Sequence, residues 1–208
     1  MTTAHRTPEV VVFDLGNVLI RWDPHPAIAA AVGPEEASRF LADEEFDFPA
    51  WNHRLDSGTR LADNEAEAVA AHPHWERQVL AYRQHFAASL TEVLEDNVAV
   101  LRDLHAAGVR VAALTNWSDE LFPVALARYD FLALFEDIVV SGAEGVAKPH
   151  PVIFDRLEDR LGVPLERCVF LDDSAANVAA AREAGLDAFR YDDHVDVRAE
   201  LRARGLPV

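Results

Sequence analysis

Cysteine is nearly absent from this chain, and the single Cys168 excludes an internal disulfide. Its place in the apolar run Cys168-Val169-Phe170-Leu171 predicts a buried, inert thiol. Long hydrophobic runs are missing as well. No uninterrupted apolar stretch approaches the roughly 20 residues that a membrane span needs. The start, Met1 to Pro8, has no apolar core like that of a signal peptide. Together these absences predict a cytoplasmic protein with no membrane partner. Positive charge is scarce too: 19 Lys and Arg face 36 Asp and Glu, for a formal net charge of −17. That balance argues against nucleic acid or anionic membrane, which favour basic surfaces. It leaves a small phosphorylated partner open, because a bound divalent cation and a few local donors reverse the sign of a pocket.

What the chain does have is apolar bulk. Half of its 208 residues are hydrophobic and 26% are charged, ordinary for a folded chain and enough to fill a sizeable core. The length suits one core domain with a modest insertion, or two small domains. There is no internal repeat and no low-complexity tract.

Four short apolar runs read as buried strands: Val10 to Phe13, Val109 to Leu114, Ile138 to Val140, and Cys168 to Leu171. A weaker fifth surrounds Ala188-Phe189. Helix-length segments lie between the later strands, at Asn97 to Ala107, Val152 to Leu161 and Ala175 to Ala184, each stopped by a glycine. Strand and helix in alternation imply an α/β fold with a parallel sheet covered on both faces. Between Asp23 and Asp96 no convincing strand is visible. Ala27 to Val32, Glu35 to Ala42, Glu65 to Ala71 and Trp75 to Leu90 read as helices, and the block is too long for one crossover. An inserted helical domain is expected there.

Ligands of open parallel sheets bind at the carboxyl ends of the strands. The strand ends here carry Asp14, Thr115-Asn116, Ser141 with a loop reaching Lys148-Pro149, and Asp172-Asp173-Ser174. Clustered carboxylates repel unless a cation or protons compensate them. Oxygen ligands of this kind suit Mg²⁺, which takes one or two carboxylates plus waters and substrate phosphate. A hydroxyl, an amide and a lysine are the donors that phosphoryl oxygens require. A carboxylate can itself attack phosphorus, forming an aspartyl-phosphate that water hydrolyses. Taken singly, each acidic residue equally suits a helix cap, as Asp173 or Ser174 does for the helix near Ala175. The ordered set is harder to explain that way.

The quartet Phe13-Asp14-Leu15-Gly16-Asn17-Val18, Leu114-Thr115-Asn116, Lys148-Pro149 and Phe170-Leu171-Asp172-Asp173 resembles the four ordered motifs of the haloacid-dehalogenase-like (HAD) hydrolases. The inserted block resembles that family's C1 cap, with the nearest likeness to sugar-phosphate phosphatases and the phosphatase domain of soluble epoxide hydrolases. The resemblance implies a Rossmann-like core of residues 1–22 and 92–208, with a helical cap over 23–91. It implies Mg²⁺-dependent hydrolysis of a small phosphomonoester, a sugar phosphate or similar metabolite, by a monomer or homodimer. Asp14 would be nucleophile and metal ligand, with the Gly16 carbonyl as second ligand. Asp173 would ligate directly and Asp172 through a water. Thr115 and Asn116 would hold phosphate oxygens, Lys148 would neutralise Asp14 and the transferring group, and Asn177 would steady the network.

One departure stands out. Most phosphatases of the family place a second Asp two residues after the nucleophile, as acid and base; this chain has Gly16. Asp23 is a substitute in principle, although helix capping is its simpler role. Phe46, Phe48, Trp51, Asn52, His53, Arg54 and Asp56 are the insertion's specificity candidates, joined by Trp117. Aromatic rings suit a sugar face, and His53 or Arg54 an anion. The aromatic residues equally suit a helical core. His72, His74 and His85 lack a metal-binding arrangement and read as surface residues. Two rivals remain: a 2-haloacid dehalogenase using the same Asp, which the Asp172-Asp173 pair disfavours, and a HAD-fold binding protein that has lost turnover.

Overall fold

The computed structural model describes residues 7–208, so the amino-terminal expectation falls almost wholly outside the described residues. The first strand, β1 (Val10–Phe13), is fully buried, and a tight turn leads to β2 (Ile20–Trp22). Five helices follow: α1 (Pro24–Val32), α2 (Pro34–Leu41), α3 (Phe48–Asp56), α4 (Leu61–Ala71) and α5 (Glu76–Gln84). Strand β3 (Leu90–Val93) then returns antiparallel to β2. The remainder alternates: α6 (Glu95–Ala106), β4 (Arg110–Thr115), α7 (Phe122–Arg128), β5 (Asp137–Val140), α8 (Ser141–Glu144), α9 (Pro151–Leu161), β6 (Cys168–Asp172), α10 (Ala175–Glu183), β7 (Asp187–Arg190) and α11 (Val197–Ala203).

The main sheet has the order β5-β4-β1-β6-β7, and every pairing in it is parallel. This is the expected α/β Rossmann-like core, with all five anticipated strands present. Side chains alternate across a strand, so β1 feeds two cores at once. Val11 and Phe13 join Val111, Ala113, Val169 and Leu171 on one face. Val10 and Val12 join Ala112, Leu114, Cys168 and Phe170 on the other. Helices α6 and α11 cover the first face through Leu101, Leu104 and Leu201. Helices α9 and α10 cover the second through Ile153, Phe154, Leu157 and Val178. Cys168 is buried in this layer, and burial pushes its thiol up to about 11, as an inert thiol requires.

The segment between β2 and β3 is helical, and its interior is aromatic. Phe40, Phe46, Phe48 and Trp51 pack ring against ring. This cluster is continuous with the first face of the sheet. The aromatic residues of α3 are therefore core, as their spacing also allowed.

Three details differ from expectation. The stretch before Asp96 holds a strand, β3, because pairing with β2 overrides a composition that reads as helix. The single helix expected over Trp75 to Leu90 ends at Gln84, followed by a 3₁₀ turn at Phe86–Ser89. Helix α3 was not anticipated. Its signal is Asp47, whose side chain accepts the Ala50 N–H at 3.0 Å, with Pro49 in the first turn. No helix of the described residues is long and apolar enough to cross a membrane.

Backbone contact fixes the loop after β4 against α8. A Cβ on Gly142 would lie 2.6 Å from the Asp119 nitrogen and 2.8 Å from the Trp117 oxygen. Both are backbone atoms of the strand-end loop, which cannot yield without moving the site. Gly142→Ala is therefore expected to lower stability by about 1–3 kcal/mol, the usual cost of overpacking. Urea unfolding midpoints measure this, and an unchanged midpoint would refute the tight fit.

Candidate active site

Register delivers the acidic groups to one place. Phe13 pairs with Ala113 on one side and Leu171 on the other, so the next residues, Asp14, Leu114 and Asp172, stand side by side. Lys148 enters from the loop after α8 and is the only lysine in the chain. Its ammonium lies 3.0 Å from Asp14 Oδ1 and donates to Asp172 Oδ2 and to the Leu114 carbonyl, both at 2.7 Å. An ammonium has three N–H donors, so this one is saturated. Its side chain is completely shielded from solvent.

Each carboxylate has a distinct set of partners. Asp14 Oδ1 also accepts the Leu15 N–H at 2.7 Å, which leaves Oδ2 free of protein donors among the described residues. Asp172 is fully engaged: besides Lys148 it accepts from Ser174 N–H at 2.8 Å and from Asn177 Nδ2 at 3.0 and 3.1 Å. Asn177 thus steadies the network through Asp172. Asp173 is half-buried and faces Asn17. Oxygens of Asp14, Asp172 and Asp173 all lie within 4.8 Å of one another.

The charges do not balance. Three carboxylates against one ammonium leave a net charge of −2. Burial pushes the Asp14 carboxyl up to about 8, against the pull of Lys148, and repulsion from Asp172 and Asp173 adds to the rise. Burial and the Asp172 charge likewise raise Asp173. Burial alone would lower Lys148, but attraction to Asp14 and Asp172 outweighs it and holds the lysine above its ordinary value. The site therefore demands a proton or a cation. A hard divalent ion fits an all-oxygen donor set of this kind.

A cavity of about 160 Å³ opens on Asp14 and Gly16. Asn17, Asn116 and Ser118 supply polar wall from the core, and Asn52 and Asp56 from α3. Trp22, Tyr82, Phe86, Trp117 and Leu121 supply the apolar wall. Trp22, Tyr82, Phe86, Ser118 and Leu121 escaped sequence reasoning, since nothing local marks them as neighbours of Asp14. Asn116 turns its side chain to the Lys148 backbone, donating to its carbonyl at 2.9 Å and accepting its N–H at 2.8 Å. It positions the lysine loop and presents only its remaining edge to the cavity. The Thr115 hydroxyl, buried at the end of β4, has no hydrogen-bond partner among the described residues.

Two expected residues are elsewhere. Arg54 pairs with Glu67 in a shallow depression on the outside of the helical layer, and His53 is exposed beside Ser57. Neither lines the cavity, because α3 presents Asn52 and Asp56 inward at helical spacing and turns the intervening pair outward. Asp23 is also absent from the cavity; its carboxylate accepts the His25 N–H at 2.9 Å and caps α1. His72 and His85 are half-buried and His74 is exposed, and none joins a metal-binding group.

The model of the haloacid dehalogenase-like hydrolase family matches residues 8–185, and the chain belongs to that family of enzymes. It is similar to a phosphoglycolate phosphatase of Cereibacter sphaeroides, at 30% identity over 85% of this chain and 81% of that protein. It is also similar to the drimenol cyclase of Aspergillus calidoustus, at 27% identity over 92% of this chain. The chain spans only 35% of that cyclase. Among solved structures, a HAD family enzyme from Bacteroides thetaiotaomicron, a magnesium complex, superposes with a TM-score of 0.73. The match covers 95% of this chain and all of that one, at 20% identity, and shows a shared fold.

Replacing Lys148 by the similarly sized methionine leaves Asp14 and Asp172 buried without their cation. Lys148→Met is expected to cost about 3–5 kcal/mol of stability near neutral pH. Asp14, already raised by burial, would lose the opposing pull of Lys148 and rise further, so the native state binds more protons and the penalty shrinks as pH falls. Denaturant unfolding at pH 7.5 and pH 5 tests this; a penalty that grows on acidification would contradict it.

Proposed function

We propose that this chain is a magnesium-dependent phosphatase of small phosphomonoesters, working through an aspartyl-phosphate on Asp14. The observation that carries the reading is the Asp14 carboxylate, with one oxygen held by Lys148 and Leu15 and the other free. Asp14 itself lines the cavity, beside the polar groups of Asn17, Asn116 and Ser118. The phosphatase name of the Cereibacter relative and the magnesium complex of the Bacteroides neighbour support it.

In this reading Asp14, the Gly16 carbonyl and Asp173 would hold the ion, and Asp172 would act on it through a water. The engagement of Asp172 by Lys148, Ser174 and Asn177 favours that division. When bound, Mg²⁺ would offset the charge of the cluster and of the substrate phosphate. Thr115 donates its unpartnered hydroxyl to a phosphoryl oxygen, and Asn116 holds the Lys148 loop in place. Lys148 orients Asp14 and favours its carboxylate form against the effect of burial; its ordinary donors are occupied, so its contribution to the phosphoryl group is through charge. Residues 23–91 act as the cap that closes the cavity and selects the leaving group.

The cavity wall also bears on substrate class. Aromatic faces and amide groups line it, and no cationic side chain does. A leaving group that is neutral, whether sugar-like or largely apolar, suits this wall; one with a second anionic group finds no cationic partner in the lining. A dehalogenase would use the same Asp14 on carbon, but the adjacent carboxylates Asp172 and Asp173 favour a cation and hence phosphoryl transfer.

A screen of phosphomonoesters with and without Mg²⁺, with a haloacid control, tests the reading. Phosphate release should require Mg²⁺, and the haloacid should release no halide. Asp14→Asn should abolish turnover while preserving the fold by circular dichroism, because an amide is a far poorer nucleophile. Retention of a tenth of the activity would exclude the covalent route. In calorimetric Mg²⁺ titrations, Asp173→Ala should weaken binding more than Asp172→Ala; the opposite order would reverse their assigned roles.

A further inference from the structure

Gly16 leaves the reaction without the carboxylate that usually protonates a leaving group, and among the described residues no core carboxyl other than Asp14 lines the cavity. Of the residues lining the cavity, Asp14 and Asp56 are the only two with a carboxyl group. Asp14 forms the bond to phosphorus. We propose that Asp56 is the acid–base residue of this phosphatase, delivered from the end of α3 into the cavity that Asp14 floors. The proposal rests on the phosphatase reading above.

Geometry fixes Asp56 firmly. Asn52 Nδ2, one helical turn earlier, donates to Asp56 Oδ2 at 3.1 Å, and the Ser118 backbone N–H faces the same carboxyl from the core. The turn that follows, Ser57-Gly58, rests directly on the core. A Cβ on Gly58 would stand 3.0 Å from Gly145 Cα and 3.1 Å from the Gly142 carbonyl, and Gly58 has φ +91°. Only glycine allows that approach and that backbone conformation together. The carboxyl therefore holds a set position relative to Asp14 although it comes from the inserted segment. Asp14 and Asp56 line the same cavity, so a leaving group bonded to phosphorus over Asp14 shares that space with the Asp56 carboxyl.

The surroundings also suit the task. Among the described residues Lys148 is the only cation that acts on Asp56, and Tyr82 is the titratable group beside it. Burial pushes the Asp56 carboxyl up to about 7, partly offset by the Lys148 charge and the Ser118 N–H. An acid that changes protonation near neutral pH is suited to both halves of the cycle. In the first half, Asp14 Oδ2 bonds to phosphorus, the phosphorus–oxygen bond to the leaving group breaks, and the Asp56 proton passes to that oxygen. In the second, the Asp56 carboxylate takes a proton from water as its oxygen bonds to phosphorus. Asp14 is released as carboxylate, inorganic phosphate forms, and Asp56 is protonated again.

The test compares kcat/KM for a primary alkyl phosphate and for 4-nitrophenyl phosphate in wild type and Asp56→Asn. This parameter reports the steps through aspartyl-phosphate formation, where only the alkyl leaving group needs a proton. The alkyl value should fall by about 10²-fold more than the aryl value, the lower end of a general acid's contribution. Equal losses on both substrates, in a variant with wild-type circular dichroism, would overturn the proposal. The double variant Gly16→Asp, Asp56→Asn guards against misfolding of the loop. A Cβ at Gly16 meets nothing within 4 Å, and the residue is not in a glycine-only conformation, so a carboxylate there should restore at least tenfold on the alkyl phosphate. Failure to restore it, with aryl turnover intact, would also count against Asp56. Absence of any Mg²⁺-dependent phosphate release from the wild type, or retained activity in Asp14→Asn, would instead bring down the phosphatase reading itself.

Discussion

Lys148 lies where β1, β4 and β6 end, and its ammonium joins all three through Asp14, the Leu114 carbonyl and Asp172. A buried cation costs several kcal/mol of desolvation unless each donor finds an acceptor. Here each does, with one carbonyl and two carboxylates. The ion pair in turn makes burial of two adjacent acids tolerable. Much of the site follows from this arrangement: the orientation of Asp14, which of its oxygens is free, and the role left to Asp172. The lysine loop is anchored separately by the reciprocal bonds between Asn116 and the Lys148 backbone. That anchor keeps the ammonium from having to choose its own position.

The ion pair still leaves excess negative charge. A protein built only for stability would replace such a cluster with apolar residues at little cost. Keeping three carboxyls within 4.8 Å of one another makes physical sense if a cation shares the site. Residual frustration of this kind is what separates a reactive centre from a structural ion pair.

The inserted segment reaches the centre by two kinds of contact. One is a run of aromatic rings: Phe48 against Tyr82, Tyr82 against Phe86, and Phe86 against Trp117. It joins the helical layer to the loop after β4 through edge-to-face ring contacts. The other is the close backbone approach of Gly58 to Gly142 and Gly145. The first gives burial and shape. The second gives the positional precision that a carboxyl at Asp56 would need.

The sequence by itself determined the sheet, its helices and the acidic centre. Short β-branched runs such as Val10-Val11-Val12 are legible because burial on both faces needs no partner to be identified. Asp14, Thr115, Lys148 and Asp172 are legible because strand ends in a parallel sheet converge whatever the loops do. The strand β3, the break after Gln84 and the helix α3 were not, since each depends on a distant partner or a single capping group. The same holds for the cavity wall. From sequence, His53 and Arg54 were as good candidates as Asn52 and Asp56, all four lying within one and a half helical turns. Only the packing of α3 against the core decided which pair faced Asp14, because a helix's orientation is set by the surface that buries its apolar side. Here Phe48, Trp51 and Leu55 took that surface and carried Asn52 and Asp56 to the cavity with them.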